Sequence, residues 1–185
     1  MPAKKQIPKE RIVRAATEIL RTRGMGAVNA RSIAAKLKCS TRPIYLSFKS
    51  MDEIKNVVTA EITKIYQSYL DFEVKNSAYP PYKAFGMGYI KFAREEKEFF
   101  KYLFMRDRSN EPKGIDGGDI EGVMSVLTNT TGLDRQTADR FHLEMWIYVH
   151  GIATMFATSY LELDEETVSG LISDAYLGIK TRYEI

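Results

Sequence analysis

The sequence holds a single cysteine, Cys39, so it closes no internal disulfide and builds no cysteine-rich metal site. A lone thiol favours a reducing interior, and a cytoplasmic location is expected. Histidine is as scarce. His142 and His150 are the only two, their spacing misses the i,i+4 pair of helical zinc sites, and no thiolate completes a ligand set. Long apolar runs are also missing. The most apolar stretch, Trp146 to Leu161, includes His, Ser and Thr and is shorter than the roughly 20 residues a membrane span needs. It reads as a buried helix, and no membrane partner is expected. The opening residues MPAKKQIPKERIVRAA carry no apolar core of signal-peptide length, so no targeting segment is expected. Enzyme signatures are absent too: there is no Gly-x-Ser-x-Gly, no His-Glu-x-x-His, no phosphate-binding loop and no dinucleotide glycine pattern. The glycines between Arg108 and Asp119 follow no strand and precede no Gly-Lys-Ser/Thr. Glu95, Glu96 and Glu98 read as a solvated helix edge, not paired catalytic acids. Neither an enzyme nor a cofactor is expected.

What is present is a core and a divided charge. With 44% hydrophobic residues among 185, the chain can fill one or two compact units and is too apolar for disorder. The net charge of +3 conceals an asymmetry. Up to Lys64 there are 14 basic against 5 acidic residues, a balance of +9; from Ile65 onward 13 basic face 19 acidic, a balance of −6. A basic head on a mildly acidic body points to a polyanion-binding module joined to a module with another task.

The head reads as short, well-capped helices. Ile12, Ala15, Ala16, Ile19 and Leu20 recur at helical spacing from about Pro8 to Arg23, and Gly24 supplies a stop. Asn29 can cap a second helix with Ile33, Ala34 and Leu37 inward. After the turn Lys38-Cys39-Ser40, Ser40 is placed to cap a third helix bearing Ile44, Tyr45 and Phe48, with Pro43 in its first turn. Ser50-Met51-Asp52-Glu53 is a capping box that opens a long fourth helix. Ile54, Val57, Val58, Glu61, Ile62, Ile65 and Tyr69 mark that helix's amphipathic face, which fades around Asn76. Two short helices, a tight turn and Thr41-Arg42 on the leading turn of the second make a helix-turn-helix.

The run IVRAATEILRTRG…VNARSIAAKLKCSTRPIYLSFKSMDEI resembles the DNA-binding domain of the TetR family from about Ile12 to Val58. The resemblance implies roles by position. Thr41 and Arg42 would read base edges, with Ser40 at the start of the same helix. Asn29, Arg31, Tyr45 and Lys49 would hold phosphates, and Phe48 would lock the third helix onto the first. Lys38 stands where the family usually has glycine and adds a cation; Met51 stands where a lysine is usual.

Beyond Lys64 no strand-like alternation persists. Pro80-Pro81 breaks the chain before a helix from about Lys83 to Glu95, followed by the short helix EKEFFKYLFMRD. The stretch Arg108 to Asp119 reads as a mobile loop. Helices from about Asp119 to Asn129, Asp134 to Leu161 and Asp164 to Thr181 complete an all-α chain. The pattern Trp146-x-x-x-His150-Gly151 resembles a C-terminal domain class found on some TetR-like regulators. In that family the last two helices pack against a twin subunit, and small Gly151, Ala153 and Ala157 suit close packing of this kind. Met and aromatic stripes at helical spacing are mostly core. Phe92, Phe104, Met124, Met145, Trp146 and His150 come from several helices and are the candidate walls of an effector pocket.

The expectation is an all-α protein of two parts: a three-helix DNA-binding head over residues 1–50 and a helical body over residues 51–185. Its expected activity is ligand-responsive repression from a palindromic double-stranded DNA operator, as a homodimer released by a small, largely hydrophobic effector. The competing expectation is a helical adaptor without ligand sensing.

Overall fold

The structure is a computed structural model that describes residues 7–107, 109 and 120–183. Among these residues every regular element is helical: nine α-helices and one 3-10 turn. No helix of the described residues is long and apolar enough to cross a membrane. The stretch 108–119, expected as a mobile loop, lies outside the described residues apart from Ser109.

α1 (Lys9–Arg23) buries Ile12, Val13, Ala15, Ala16, Ile19 and Leu20 along one face. Pro8 is its cap and not its first residue. Gly24 ends it at φ +75, a backbone conformation that glycine adopts without strain and other residues rarely take. A 3-10 turn (Met25–Ala27) leads to α2 (Ala30–Lys36), α3 (Arg42–Ser47) and α4 (Met51–Asn76). The inward stripe of α4 is Ile54, Val58, Ile62, Tyr66 and Leu70. Val57, expected on that face, is exposed, and Glu61 pairs with Lys64 at 2.9 Å. The stripe keeps Ile54, Val58 and Ile62 of the expected face and continues through Tyr66 and Leu70, which leaves the acid at 61 off the apolar side.

α5 (Pro81–Glu95), α6 (Lys97–Phe104), α7 (Ile120–Thr131), α8 (Arg135–Ala157) and α9 (Glu165–Arg182) follow. Asp134 and Asp164 cap α8 and α9, their carboxylates accepting from the Thr137 and Thr167 N–H at 3.1 and 2.7 Å. The expected extension of α8 to Leu161 stops at Ala157. Ser159 turns to φ +57 there, and the Tyr160 N–H donates to the Met155 carbonyl at 2.9 Å, closing a Schellman motif on a non-glycine residue.

Two compact units result. One takes in the described part of Met1–Ile65 together with Glu98–Arg106; the other takes in Tyr66–Lys97 and the described part of Asp107–Ile185. In the first, Phe99 and Phe100 are fully buried, the Arg21 guanidinium lies 5.1 Å from the Phe99 ring centre, and the Thr59 and Tyr102 hydroxyls share a 2.8 Å hydrogen bond. In the second, Phe92 and Phe141 are fully buried. Gly88 lets the backbones of α4 and α5 touch, since a Cβ there would sit 3.0 Å from the Tyr69 carbonyl oxygen and 3.1 Å from Leu70 Cα.

Candidate functional site

The first unit carries the helix-turn-helix. Asn29 caps α2 reciprocally: its side-chain oxygen accepts from the Ser32 N–H at 3.0 Å, and Ser32 Oγ accepts from the Asn29 N–H at 3.1 Å. The α2–α3 turn is a full Schellman closure. The Cys39 N–H donates to the Ala34 carbonyl and the Lys38 N–H to the Ala35 carbonyl, while Lys38 stands at φ +53. A lysine therefore occupies a backbone conformation that glycine adopts at no steric cost.

Ser40 was expected to cap α3, and it does not. Thr41 is the cap residue in helical conformation, with no side-chain cap bond. Pro43 offers no N–H, and the Ile44 N–H, the next donor a capping side chain could satisfy, donates to the Thr41 carbonyl at 3.1 Å. The Ser40 hydroxyl is left exposed at the entry to α3.

The side chains assigned to DNA from sequence divide clearly. Arg31, Lys38, Ser40, Arg42, Tyr45 and Lys49 are exposed, and Thr41 is half-buried. Arg31, Lys38 and Arg42 form no ion pair with a carboxylate of the described residues. Tyr45 is 52% exposed whereas Phe48 is 2% exposed, so Phe48 is core and Tyr45 is not. Lys9 Nζ lies 4.7 Å from the Phe48 ring centre and 3.2 Å from Glu53 Oε1. The other Glu53 oxygen accepts from the Lys49 N–H at 2.6 Å, and the Ser50 hydroxyl accepts from the Glu53 N–H at 3.2 Å. The box at the start of α4 thus closes one residue further back than expected. The Lys49 N–H and then Lys9 hold the Glu53 carboxyl below its ordinary value. This knot ties the end of α3 to the start of α1.

The second unit contains a cavity of about 390 Å³ with contributions from α4, α5, α7, α8 and α9. Its wall is aromatic and aliphatic, with two hydrogen-bonded Tyr–His pairs. The Tyr82 hydroxyl and His142 Nδ1 are 3.0 Å apart; the Tyr89 hydroxyl and His150 Nδ1 are 2.8 Å apart. Burial lowers both imidazoles and raises both phenols, so at neutral pH all four groups are uncharged. Trp146 lines the cavity and stacks on His150 with ring centres 4.8 Å apart.

Of the six pocket residues read from sequence, Met145 and Trp146 line this cavity, and His150 stands behind it on Tyr89 and Trp146. Phe92 and Met124 are buried in the core of the same unit and do not line it. Phe104 belongs to the first unit, packed on Phe100 at 5.1 Å. Sequence reasoning missed Tyr82, Lys83, Phe85 and Gly86, which share the lining face of α5 with Tyr89. Their spacing directly after Pro81 was the available signal. Ala153 and Ala157, expected at an intersubunit contact, are buried within their own unit. The exposed apolar side chains of α8 are instead Leu143, Ile147, Tyr148 and Met155. Among the described residues no group of His, Cys, Asp and Glu is arranged to hold a metal ion.

Residues 12–56 match the family model described as bacterial regulatory proteins, tetR family. No curated protein matches the sequence. The fold is similar to a TetR-like transcriptional regulator from Rhodococcus sp. RHA1, at 16% identity and a TM-score of 0.65 over 94% of this chain and 98% of that one. It is also similar to a TetR-family member from Streptomyces coelicolor A3, at 15% identity and a TM-score of 0.61 over 90% and 96% of the two chains. The matched segment holds the helix-turn-helix, so residues 12–56 are similar to the DNA-binding segment of the tetR family, and the all-α fold is similar to those of two TetR-like regulators.

Proposed function

We propose that the protein is a cytoplasmic homodimeric repressor that leaves a palindromic operator when a small, largely hydrophobic effector enters the body cavity. The observation that carries this reading is the cavity itself, a preformed apolar space of about 390 Å³ in a unit separate from the helix-turn-helix. A wall of stacked aromatics with neutral Tyr–His pairs suits binding better than catalysis.

In this reading Thr41 and Arg42 face base edges from the start of α3, and Arg31, Lys38, Tyr45 and Lys49 face the phosphates with Ser40 and the capped Asn29 beside them. Their exposure, and the lack of acid partners among the described residues for Arg31, Lys38 and Arg42, supports that role. Leu143, Ile147, Gly151 and Met155 recur every four residues along α8. A Cβ at Gly151 meets nothing within 4 Å, so this stripe can receive a second copy closely. A two-fold dimer then presents two heads about 34–36 Å apart, one helical turn of DNA. An effector that binds better to the DNA-free arrangement weakens DNA affinity by the same coupling factor. α4, which contributes residues to both units, is the covalent lever.

The test is a compound screen read twice on one sample: Trp146 emission for cavity binding, and anisotropy of a labelled selected duplex for DNA occupancy. Binders that quench Trp146 and release DNA with one midpoint support the reading. Quenching with unchanged DNA occupancy would leave a DNA-binding protein without effector control.

A further inference from the structure

The charge balance of the cavity wall is one-sided. Among the described residues Lys83 is its only charged side chain, and no Asp or Glu of these residues lines it. The Lys83 ammonium donates to the Ser169 and Ser173 hydroxyls at 2.6 and 2.8 Å and lies 4.8 Å from the Tyr79 ring centre. Two of its three N–H donors are used, and it meets no carboxylate of the described residues. Glu165, the acid nearby in this arrangement, accepts instead from the Tyr79 hydroxyl at 3.1 Å. The rest of the wall repeats the bias toward donors. The indole N–H of Trp146 is buried and meets no acceptor among the described residues. The two Tyr–His pairs satisfy each other, and the Thr130 hydroxyl is spent on the Val126 carbonyl. Ser173, having accepted from Lys83, retains its own O–H to donate.

A half-buried ammonium held only by hydroxyls is solvated incompletely, and an anion beside it recovers what was lost. The remaining wall rewards apolar and flat surface. One cation also sets the charge of its partner. A ligand with several negative charges would leave all but one unpaired in an apolar chamber. We infer that the effector is an amphiphilic monoanion, an apolar or aromatic body ending in a carboxylate that seats on Lys83 and Ser173. The inference rests on the cavity being the effector site and specifies what it accepts. The carboxylate takes the third N–H of Lys83 and the O–H of Ser173, and the apolar body extends along Trp146, Tyr89 and Phe85.

The test compares matched pairs on the whole protein: naphthalene-2-carboxylate against naphthalene-2-carboxamide, and octanoate against octanamide. Affinities come from Trp146 emission and calorimetry, on wild type and on Lys83→Met, whose fold is checked by circular dichroism and by unchanged DNA affinity without probe. The expected result is carboxylate binding at least about tenfold tighter than the amide, or ~1.4 kcal/mol. Lys83→Met removes that preference and leaves amide affinity as it was, and Ser173→Ala weakens the carboxylates alone. Equal affinities in wild type, or a preference that survives Lys83→Met, overturn the headgroup assignment while leaving the cavity as an effector site. Failure of carboxylates and amides alike to bind removes the cavity itself, and this inference with it.

Discussion

Replacing Lys38 with glycine separates what the backbone wants from what the surface is proposed to do. Lys38 closes the α2–α3 turn at φ +53, in the left-handed region, within a Schellman motif whose two backbone bonds are both made. An L-residue there costs about 1–2 kcal/mol relative to the right-handed conformation, and glycine escapes that cost. Glycine also loosens the unfolded chain, which takes back roughly 0.4–1 kcal/mol. The net gain for Lys38→Gly is therefore on the order of 1 kcal/mol, a rise in melting temperature of roughly 2–4 °C for a chain of this size. DNA binding should move the other way. Losing one phosphate-contacting cation flattens the slope of log affinity against log salt by about 0.9 per protomer, or about 1.8 for a dimer. Lys38→Ala is the control: it keeps the strained backbone and loses the charge, so it should share the salt slope of the glycine variant without its stability. Scanning calorimetry and salt-varied anisotropy read the two effects. A glycine variant no more stable than wild type would refute the strain argument. A salt slope unchanged in both variants would remove Lys38 from the DNA face.

Three further outcomes are expected. Ile147→Glu places a charge in the exposed α8 stripe, so sizing chromatography should show monomers with much weaker operator binding; a dimer that survives would move the interface elsewhere. Glu53→Gln should lower the melting temperature at neutral pH. A carboxyl held below its ordinary value of 4.5 binds fewer protons folded than unfolded, so its contribution is fully present above that value and is lost as pH falls below it through the lower folded value. The gap between variant and wild type should accordingly close in acid, and a pH-independent gap would discount the Lys49–Glu53–Lys9 knot. Gly88→Ala forces a methyl against backbone atoms that cannot swing aside, at about 1–3 kcal/mol against the ~1 kcal/mol gained in helix propensity. A lower melting temperature is expected, and a higher one would show that α4 and α5 separate easily.

Helices and caps were legible wherever a local rule acts alone. Asn29, Asp134 and Asp164 mark true helix starts because their side chains satisfy N–H groups three residues on. The failures share two physical causes. Lys38 and Ser159 both hold left-handed turns closed by Schellman bonds, and with no glycine to mark the second turn α8 read four residues too long. The second cause is rotation about an apolar helix. Composition shows that α8 is apolar over most of its length but not which side meets which neighbour. Ala153 and Ala157 therefore read as an outer contact although they face the unit's own core. The cavity suffered likewise: Phe92 and Phe104 have the right chemistry but were filled in by tertiary packing, whereas Lys83 was invisible as a wall residue until α9 was seen to bring Ser169 and Ser173 to it.

The central claim is that α3 reads DNA from a two-fold symmetric protein, and selection from a randomised duplex pool tests it most directly. Wild type should enrich an inverted repeat with half-sites about one helical turn apart. Thr41→Ala and Arg42→Ala should each relax preference at particular positions of both half-sites, by about 1–3 kcal/mol of discrimination. Enrichment of no sequence, or an enriched site whose preferences both variants reproduce unchanged, would contradict the account.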